Sequence, residues 1–284
     1  MAQIIGYIGT SHIPAIGAAI AAHRQQDPYW KHFFDGYPPA RQWLESNKPD
    51  VVVMFYNDHG LNFFLDKMPT FAVGAAAQYA NADEGWGLPN FGTYRGYPEL
   101  SWHILEQLLD DEFDPVSCQE MLVDHAFTVP MKLLWPDGNP DLRTVPIVIN
   151  TVQHPLPSAR RCFKFGQSVG RAIASWPERL KVLIMGTGGL SHQLDGQRAG
   201  FINKAFDMLC LEQIESQPEA LTHYDTTELV RIAGTQGVEL LNWIAARGAL
   251  EGQVRRVHSH YHVPISNTAA ALLVLERQPT TAPA

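Results

Sequence analysis

Cysteine is scarce in this chain, and the arrangements that would give it a role are missing. Cys118, Cys162 and Cys210 are the only three in 284 residues, at wide spacings and with no Cys-x-x-Cys. That argues against both a disulfide framework and a structural zinc site. No apolar run approaches the roughly 20 residues needed to span a bilayer, and the N-terminus lacks the basic-then-apolar layout of a secretory signal. A cytoplasmic protein is therefore expected. Positive charge is short as well: 21 Lys and Arg against 29 Asp and Glu leave a net charge of −8. This balance disfavours nucleic acid and anionic membrane as partners. Two nucleotide-binding patterns are absent, since Gly186-Thr187-Gly188-Gly189 fits neither G-x-G-x-x-G nor the P-loop and reads as a tight turn. Ser191-His192 has no nucleophile elbow around it, which makes a Ser/His hydrolase a minor reading.

What is present is an ordinary globular composition, 45% hydrophobic, with an unusual 12 histidines. No repeat or linker interrupts it, so a single domain over residues 1–277 is expected, followed by a Pro/Thr/Ala tail at 278–284. The fold class expected is α/β, with a central mixed or parallel sheet flanked by helices. Gln3 to Ile8, Asp50 to Tyr56 and Leu180 to Met185 are short runs rich in β-branched and aromatic residues. Such continuous apolar runs suit strands buried on both faces. Pro69 to Gly74, Thr144 to Asn150 and Ser259 to Val263 are further strand candidates, and Pro146 inside the second places it near an edge or a bulge. Helices are expected at Arg41 to Asn47, Glu99 to Leu109, Ser158 to Trp176, Asn203 to Glu215 and Thr226 to Ile232. Another is expected at Gly237 to Arg247, stopped by Gly248. His103 is then simply a helix residue. Ala15 to Ala22 fits either a helix start or a loop lining a site, Asp27 to Pro39 reads as aromatic packing rather than a lid, and Asn81 to Gly96 as one long loop.

The three strongest strands share one feature. Each runs into a histidine: His12 after Gly9-Thr10-Ser11, His59 after Asn57-Asp58, and His192 after the glycine turn. Ligands of open α/β sheets bind at the carboxyl ends of the strands, which places the active site there. Two neutral imidazoles and a carboxylate on one face of an octahedral ion leave three positions open, the arrangement by which ferrous iron takes substrate and dioxygen together. Glu239 is the best carboxylate, lying among Val238, Leu240, Leu241 and Trp243. It either ligates an ion or faces water on the polar side of its helix. His258, His260 and His262 alternate, so on a strand they face one way and form a metal site, a polar surface or a pocket rim.

Taken together, TSHIPAIG (10–17), YNDH (56–59), ADEGWG (82–87), VDHAFTVP (123–130), GTGGLSHQL (186–194), GVELLNW (237–243) and YHVPISNTA (261–269) resemble the class III extradiol ring-cleaving dioxygenases. The likeness runs from residue 3 to about residue 275 and is greatest to the β subunits of protocatechuate 4,5-dioxygenase and to gallate dioxygenases. It implies Fe(II) held by His12, His59 and Glu239, with His192 as acid/base and His125 hydrogen-bonding near substrate or oxygen. Ser266 and Asn267 match positions that hold the ring carboxylate. The implied reaction is extradiol cleavage of a carboxylated catechol such as protocatechuate by O2, with gallate or 3-O-methylgallate as alternatives. A non-catalytic metal-binding relative and a zinc hydrolase on the same fold are the readings from other classes. A small α-type subunit, or self-association as a homodimer or heterotetramer, is expected to close the pocket. One departure is Ala126-Phe127, which follows His125 where the family usually has a glycine and a smaller residue, and which leaves pocket size, and so the substrate, open.

Overall fold

A computed structural model describes residues 1–85 and 87–278; Trp86 of the ADEGWG motif and residues 279–284 of the expected tail lie outside the described residues. Three parallel strands form the centre: β1 (Gln3–Thr10), β2 (Val51–Tyr56) and, later in the chain, β9 (Lys181–Thr187), which lies between the other two. Side chains alternate strictly across the pleat. Val51, Val53 and Phe55 enter one core with Val182 and Ile184, while Val52, Met54 and Tyr56 enter the other with Leu183 and Met185. Both faces are therefore buried, which is why these runs read as continuously apolar.

The first face is covered by α4 (Pro98–Asp110), α6 (Ala159–Ser175) and α9 (Leu240–Ala249). The second is covered by α1 (Pro14–Ala21), α2 (Pro28–Phe34), α3 (Pro38–Asn47) and α5 (His125–Leu134). Trp30, Phe33, Phe34 and Tyr37 are buried, so Asp27 to Pro39 is packing, and Ala15 to Ala22 is helical. Gly248 does not stop α9. It lies inside the helix, where a Cβ would collide with the Phe163 carbonyl of α6, just as one on Gly166 would collide with the Ala245 carbonyl. The glycine is there for close helix approach rather than for chain reversal.

Two further expectations are corrected. The segment from Asn81 to Gly96 is a loop only over 82–92, because its ends belong to β4 (Gln78–Asn81) and β5 (Thr93–Gly96), which pair antiparallel. β8 (Arg143–Ile149) is not at an edge: it pairs with β2 along its length. On its other side it pairs with β5 at residues 143–144 and with β3 (Phe71–Gly74) at residues 147–149. Pro146 falls where one neighbour gives way to the next, so its missing N–H costs no ladder bond. The short strands β6 (Val116–Cys118) and β7 (Leu122–Val123) complete that end of the sheet. At the other end β10 (Val254–Ile265) and β11 (Thr268–Arg277) form a hairpin, with β11 antiparallel to β1. The remaining helices, α7 (Lys204–Ser216) and α8 (Thr226–Ala233), are capped by Asn203 and Asp225. Among the described residues, no helix is long and apolar enough to cross a membrane.

Candidate metal centre and active site

β1, β9 and β2 are adjacent and parallel, so the residues that follow them emerge side by side at one edge of the sheet. His12, His192 and His59 meet there around a cavity of about 840 Å³. His125, the first residue of α5, and Glu239, which ends the 3-10 turn before α9, line the same cavity. The Glu239 carboxylate is 3.5 Å from His12 Nε2, 3.7 Å from His59 Nε2 and 3.8 Å from His192 Nε2. Ring nitrogens of His12, His59 and His125 lie within 4.8 Å of one another. Five ionisable residues scattered over the sequence are thus brought to one point. Glu239 is buried, which removes the reading in which it faces water.

Each imidazole is oriented by a partner of its own, and the hydrogen-bond network assigns its tautomer. His59 Nδ1 donates to Asp124 Oδ2 at 2.9 Å, and the His59 backbone N–H donates to the same oxygen. Asp124 also caps α5 by accepting from Ala126 N. His192 Nδ1 donates to the Leu190 carbonyl at 2.9 Å. His12 Nδ1 lies 3.1 Å from Thr187 Oγ1, whose own proton goes to the Ala126 carbonyl at 2.9 Å. That carbonyl is free because Pro130, four residues on inside α5, has no N–H to give it. The proline in the helix therefore orients His12. His125 Nδ1 donates to Glu84 Oε2.

With Nδ1 used in each ring, Nε2 is the nitrogen turned to the cavity; that of His59 also lies 3.1 Å from the Asn57 Nδ2 donor. His12 Nε2 is buried with no hydrogen-bond partner. A buried lone pair of this kind is costly unless something electrophilic meets it. Glu239 is prepared for the same task. Its Oε2 accepts from Gly189 N at 2.8 Å, and its Oε1 from Asn57 Nδ2 at 3.4 Å. Gly188, at φ +126°, lets the backbone come close: a Cβ there would sit 2.7 Å from Glu239 Cβ. The glycines after β9 thus serve the carboxylate, which a turn alone would not require.

The electrostatics favour a cation. Burial works to raise the pKa of Glu239, but His12, His59 and His192 outweigh it and hold the carboxyl well below its usual range. Burial likewise disfavours protonated His59, yet Asp124 and Glu239 lift its pKa to about 10. Asp124 shows the converse: burial opposes its charge, and the charge and hydrogen bond of His59 bring it down to about 2. For His125, burial and the neighbouring His59 lower the pKa against the pull of Glu84. Two imidazoles and a carboxylate, compact and net anionic, fit a divalent transition metal, which would replace the proton between His59 and Glu239.

The substrate side is less complete. Ser266 and Asn267 form the two-residue turn of the β10–β11 hairpin. Ser266, at φ +54°, lines the cavity, while the Asn267 amide oxygen lies near Gly200 and away from it. Among the described lining residues there is no Lys or Arg. Phe127 does not reshape the pocket; it packs between Tyr56 and Tyr94 inside the second core, and Ala126 is buried beside it. Ser191 turns away from His192 toward Asp207 (2.7 Å), which excludes a Ser/His pair. Glu84, Asp124 and Thr187 are the members that sequence reasoning missed. Asp124 had a local signal, an Asx residue before the helix that begins at His125; Glu84 and Thr187 stand in ADEGWG and GTGGLSHQL, but nothing local marks them as partners of His125 and His12.

Residues 6–272 match the family described as the catalytic LigB subunit of aromatic ring-opening dioxygenase. A gallate dioxygenase of Pseudomonas putida is 40% identical over 204 residues, covering 72% of this chain but only 60% of that protein. A 2,3-dihydroxyphenylpropionate/2,3-dihydroxicinnamic acid 1,2-dioxygenase of Photorhabdus laumondii is 27% identical and covers 96% of this chain and 97% of its own. The crystal structure of an uncharacterized Escherichia coli K12 protein superposes with TM-score 0.58 at 13% identity, covering 96% of this chain and 100% of that one, a likeness of fold alone.

Proposed function

This chain belongs to the family of catalytic LigB subunits of aromatic ring-opening dioxygenases, and on that premise we propose that it cleaves a carboxylated catechol beside its diol, using O2 and Fe(II). The observation that carries the reading is the convergence of His12, His59 and Glu239 with their Nε2 and carboxylate groups on one point of the cavity. When bound there, ferrous iron supplies a Lewis acid and a redox centre open to both diol and dioxygen. The other steps belong to the chain. His192, its Nδ1 fixed on Leu190, presents Nε2 to take a phenolic proton and later return it. His125, its Nδ1 engaged by Glu84, lines the same cavity and would accept a hydrogen bond through Nε2. Ser266 at the cavity wall would hold the ring carboxylate through a neutral donor and so select the bond that is cut, while Asn267, turned toward Gly200, would reach it only if the turn moved. Holding the ring in one orientation removes an entropic barrier.

Gallate is favoured over protocatechuate as the first substrate to test, because the relative at 40% identity is a gallate dioxygenase. From protocatechuate the product would be of the 2-hydroxymuconate semialdehyde type. A small subunit or a second copy closing the cavity mouth, and a cytoplasmic location, complete the proposal. The test is oxygen uptake with a panel of catechols after anaerobic iron loading of the purified chain, alone and with a candidate small subunit. Turnover with gallate or protocatechuate that stops in His192→Ala while iron occupancy stays full is the expected result. Loading with zinc and hydrolysis without oxygen would reject it.

A further inference from the structure

Glu84, in the cavity wall, addresses His125 twice, as Asp124 does His59. It lies in the loop over residues 82–92, which is pinned from within: Asn81 Oδ1 accepts from Phe91 N at 2.8 Å, and Asp83 Oδ1 from Gly85 N at 3.0 Å. The loop carries the Glu84 side chain, 8% exposed, against the His125 side chain, 5% exposed. Oε1 accepts from the His125 backbone N–H at 2.6 Å and Oε2 meets Nδ1 at 2.5 Å.

We propose that Glu84 is a positioning residue that fixes the tautomer of His125, so that the ring meets the substrate as a hydrogen-bond acceptor. The donors and acceptors present decide the tautomer. A carboxylate only accepts and a backbone N–H only donates, so one oxygen is committed to the His125 backbone. The other oxygen requires a hydrogen on Nδ1, which leaves Nε2 with its lone pair toward the cavity. Replacing Glu84 by glutamine tests this sharply. The backbone N–H still requires the amide oxygen, so the amide NH2 must face Nδ1. Nδ1 then has to be bare, and the hydrogen moves to Nε2. The substitution keeps size and shape while turning His125 from acceptor to donor.

The catalytic consequence rests on the ring-cleavage reading; the tautomer itself does not. Nitrogen-15 NMR of histidine in the full chain should show the hydrogen of His125 on Nδ1 in the native protein and on Nε2 in Glu84→Gln. In steady-state kinetics with the iron-loaded enzyme, kcat should fall by about a hundredfold in Glu84→Gln while iron occupancy and KM stay close to native, the scale of a lost proton-transfer or hydrogen-bonding group. Glu84→Asp should restore the Nδ1 hydrogen and part of kcat. A Glu84→Gln protein that keeps hydrogen on Nδ1, or keeps native kcat, overturns the proposal. If Glu84→Gln fails to fold, Glu84→Ala takes its place and must show both tautomers; a single Nδ1 tautomer there overturns the proposal equally. A native chain that turns over no catechol rejects ring cleavage, and the NMR result then decides the role of Glu84 by itself.

Discussion

Two groups of histidines lie in this molecule, and they are built on opposite principles. His12, His59, His125 and His192 each have a separate partner on Nδ1: a hydroxyl, two carboxylates and a carbonyl. The second group sits between α2 and β10. There the His32 ring is 5.1 Å from that of His260 and 5.2 Å from that of His262, edge to face, while His258 bonds the Gly36 carbonyl. Among the described residues, none of these four forms an ion pair, and no metal-holding set includes them. Histidine density is similar in the two places. What differs is that the first group has its lone pairs aimed by other residues and a buried carboxylate facing them. In the second the rings fill space against one another.

The largest effect that sharpens this contrast comes from the carboxylate. Glu239→Ala, or His12→Ala, should bind no iron at stoichiometric loading and lose oxygen uptake entirely, with the fold retained. Metal analysis alongside circular dichroism checks it. Full iron occupancy in either variant would place the first group on the same footing as the second.

How much of this could be read from residues alone follows from how far each partner lies along the chain. The three strand-end histidines were legible because β-branched runs announce the strands and parallel pairing brings their ends together. Glu239 could be singled out but not placed, since its burial depends on Gly188 giving way to it 51 positions earlier in sequence. Thr187 and Glu84 stood inside recognised motifs but could not be given partners: their contacts to His12 and His125 span 175 and 41 residues. Pro146 misled for a related reason, because the place where one sheet neighbour replaces another exists only in three dimensions. Gly248 misled because a helix-stopping residue and a helix-packing residue are the same amino acid.

A smaller effect concerns the partner that orients His59. Asp124 is fully buried and holds a folded-state pKa of about 2 against an ordinary 3.8. A depressed carboxyl pKa contributes stability that is complete above 3.8 and is lost as the pH falls toward 2, an amount of about 2 kcal/mol. Asp124→Ala removes this, the α5 cap and the His59 anchor together. It should lower stability by about 3 kcal/mol, flatten the acid limb of the unfolding curve and weaken metal affinity about tenfold or more. Denaturant titrations between pH 2 and 5 provide the measurement. An unchanged acid limb would mean that the site's orienting carboxylates are no more committed than surface ones.

The smallest effect is expected in the second group, where the contrast is most easily broken. His260 is held below the usual histidine pKa, first by burial and then by the charges that His32, His258 and His262 would carry; His262 is lowered by burial and by His32. A histidine whose folded-state pKa is depressed takes up protons more readily when unfolded. Its contribution to stability is complete above 6.5 and is lost as the pH falls from there through the folded-state value. His260→Ala should therefore leave iron occupancy and kcat at native levels, since its ring lies against Gly36 and lines no part of the cavity. Its one signature should be a shallower loss of stability as the pH falls below 6.5, well under the effect of Asp124→Ala. A His260→Ala protein with reduced iron content would show that the two groups are coupled. The orientation of imidazoles by their partners would then no longer be enough to distinguish a metal centre from packed rings.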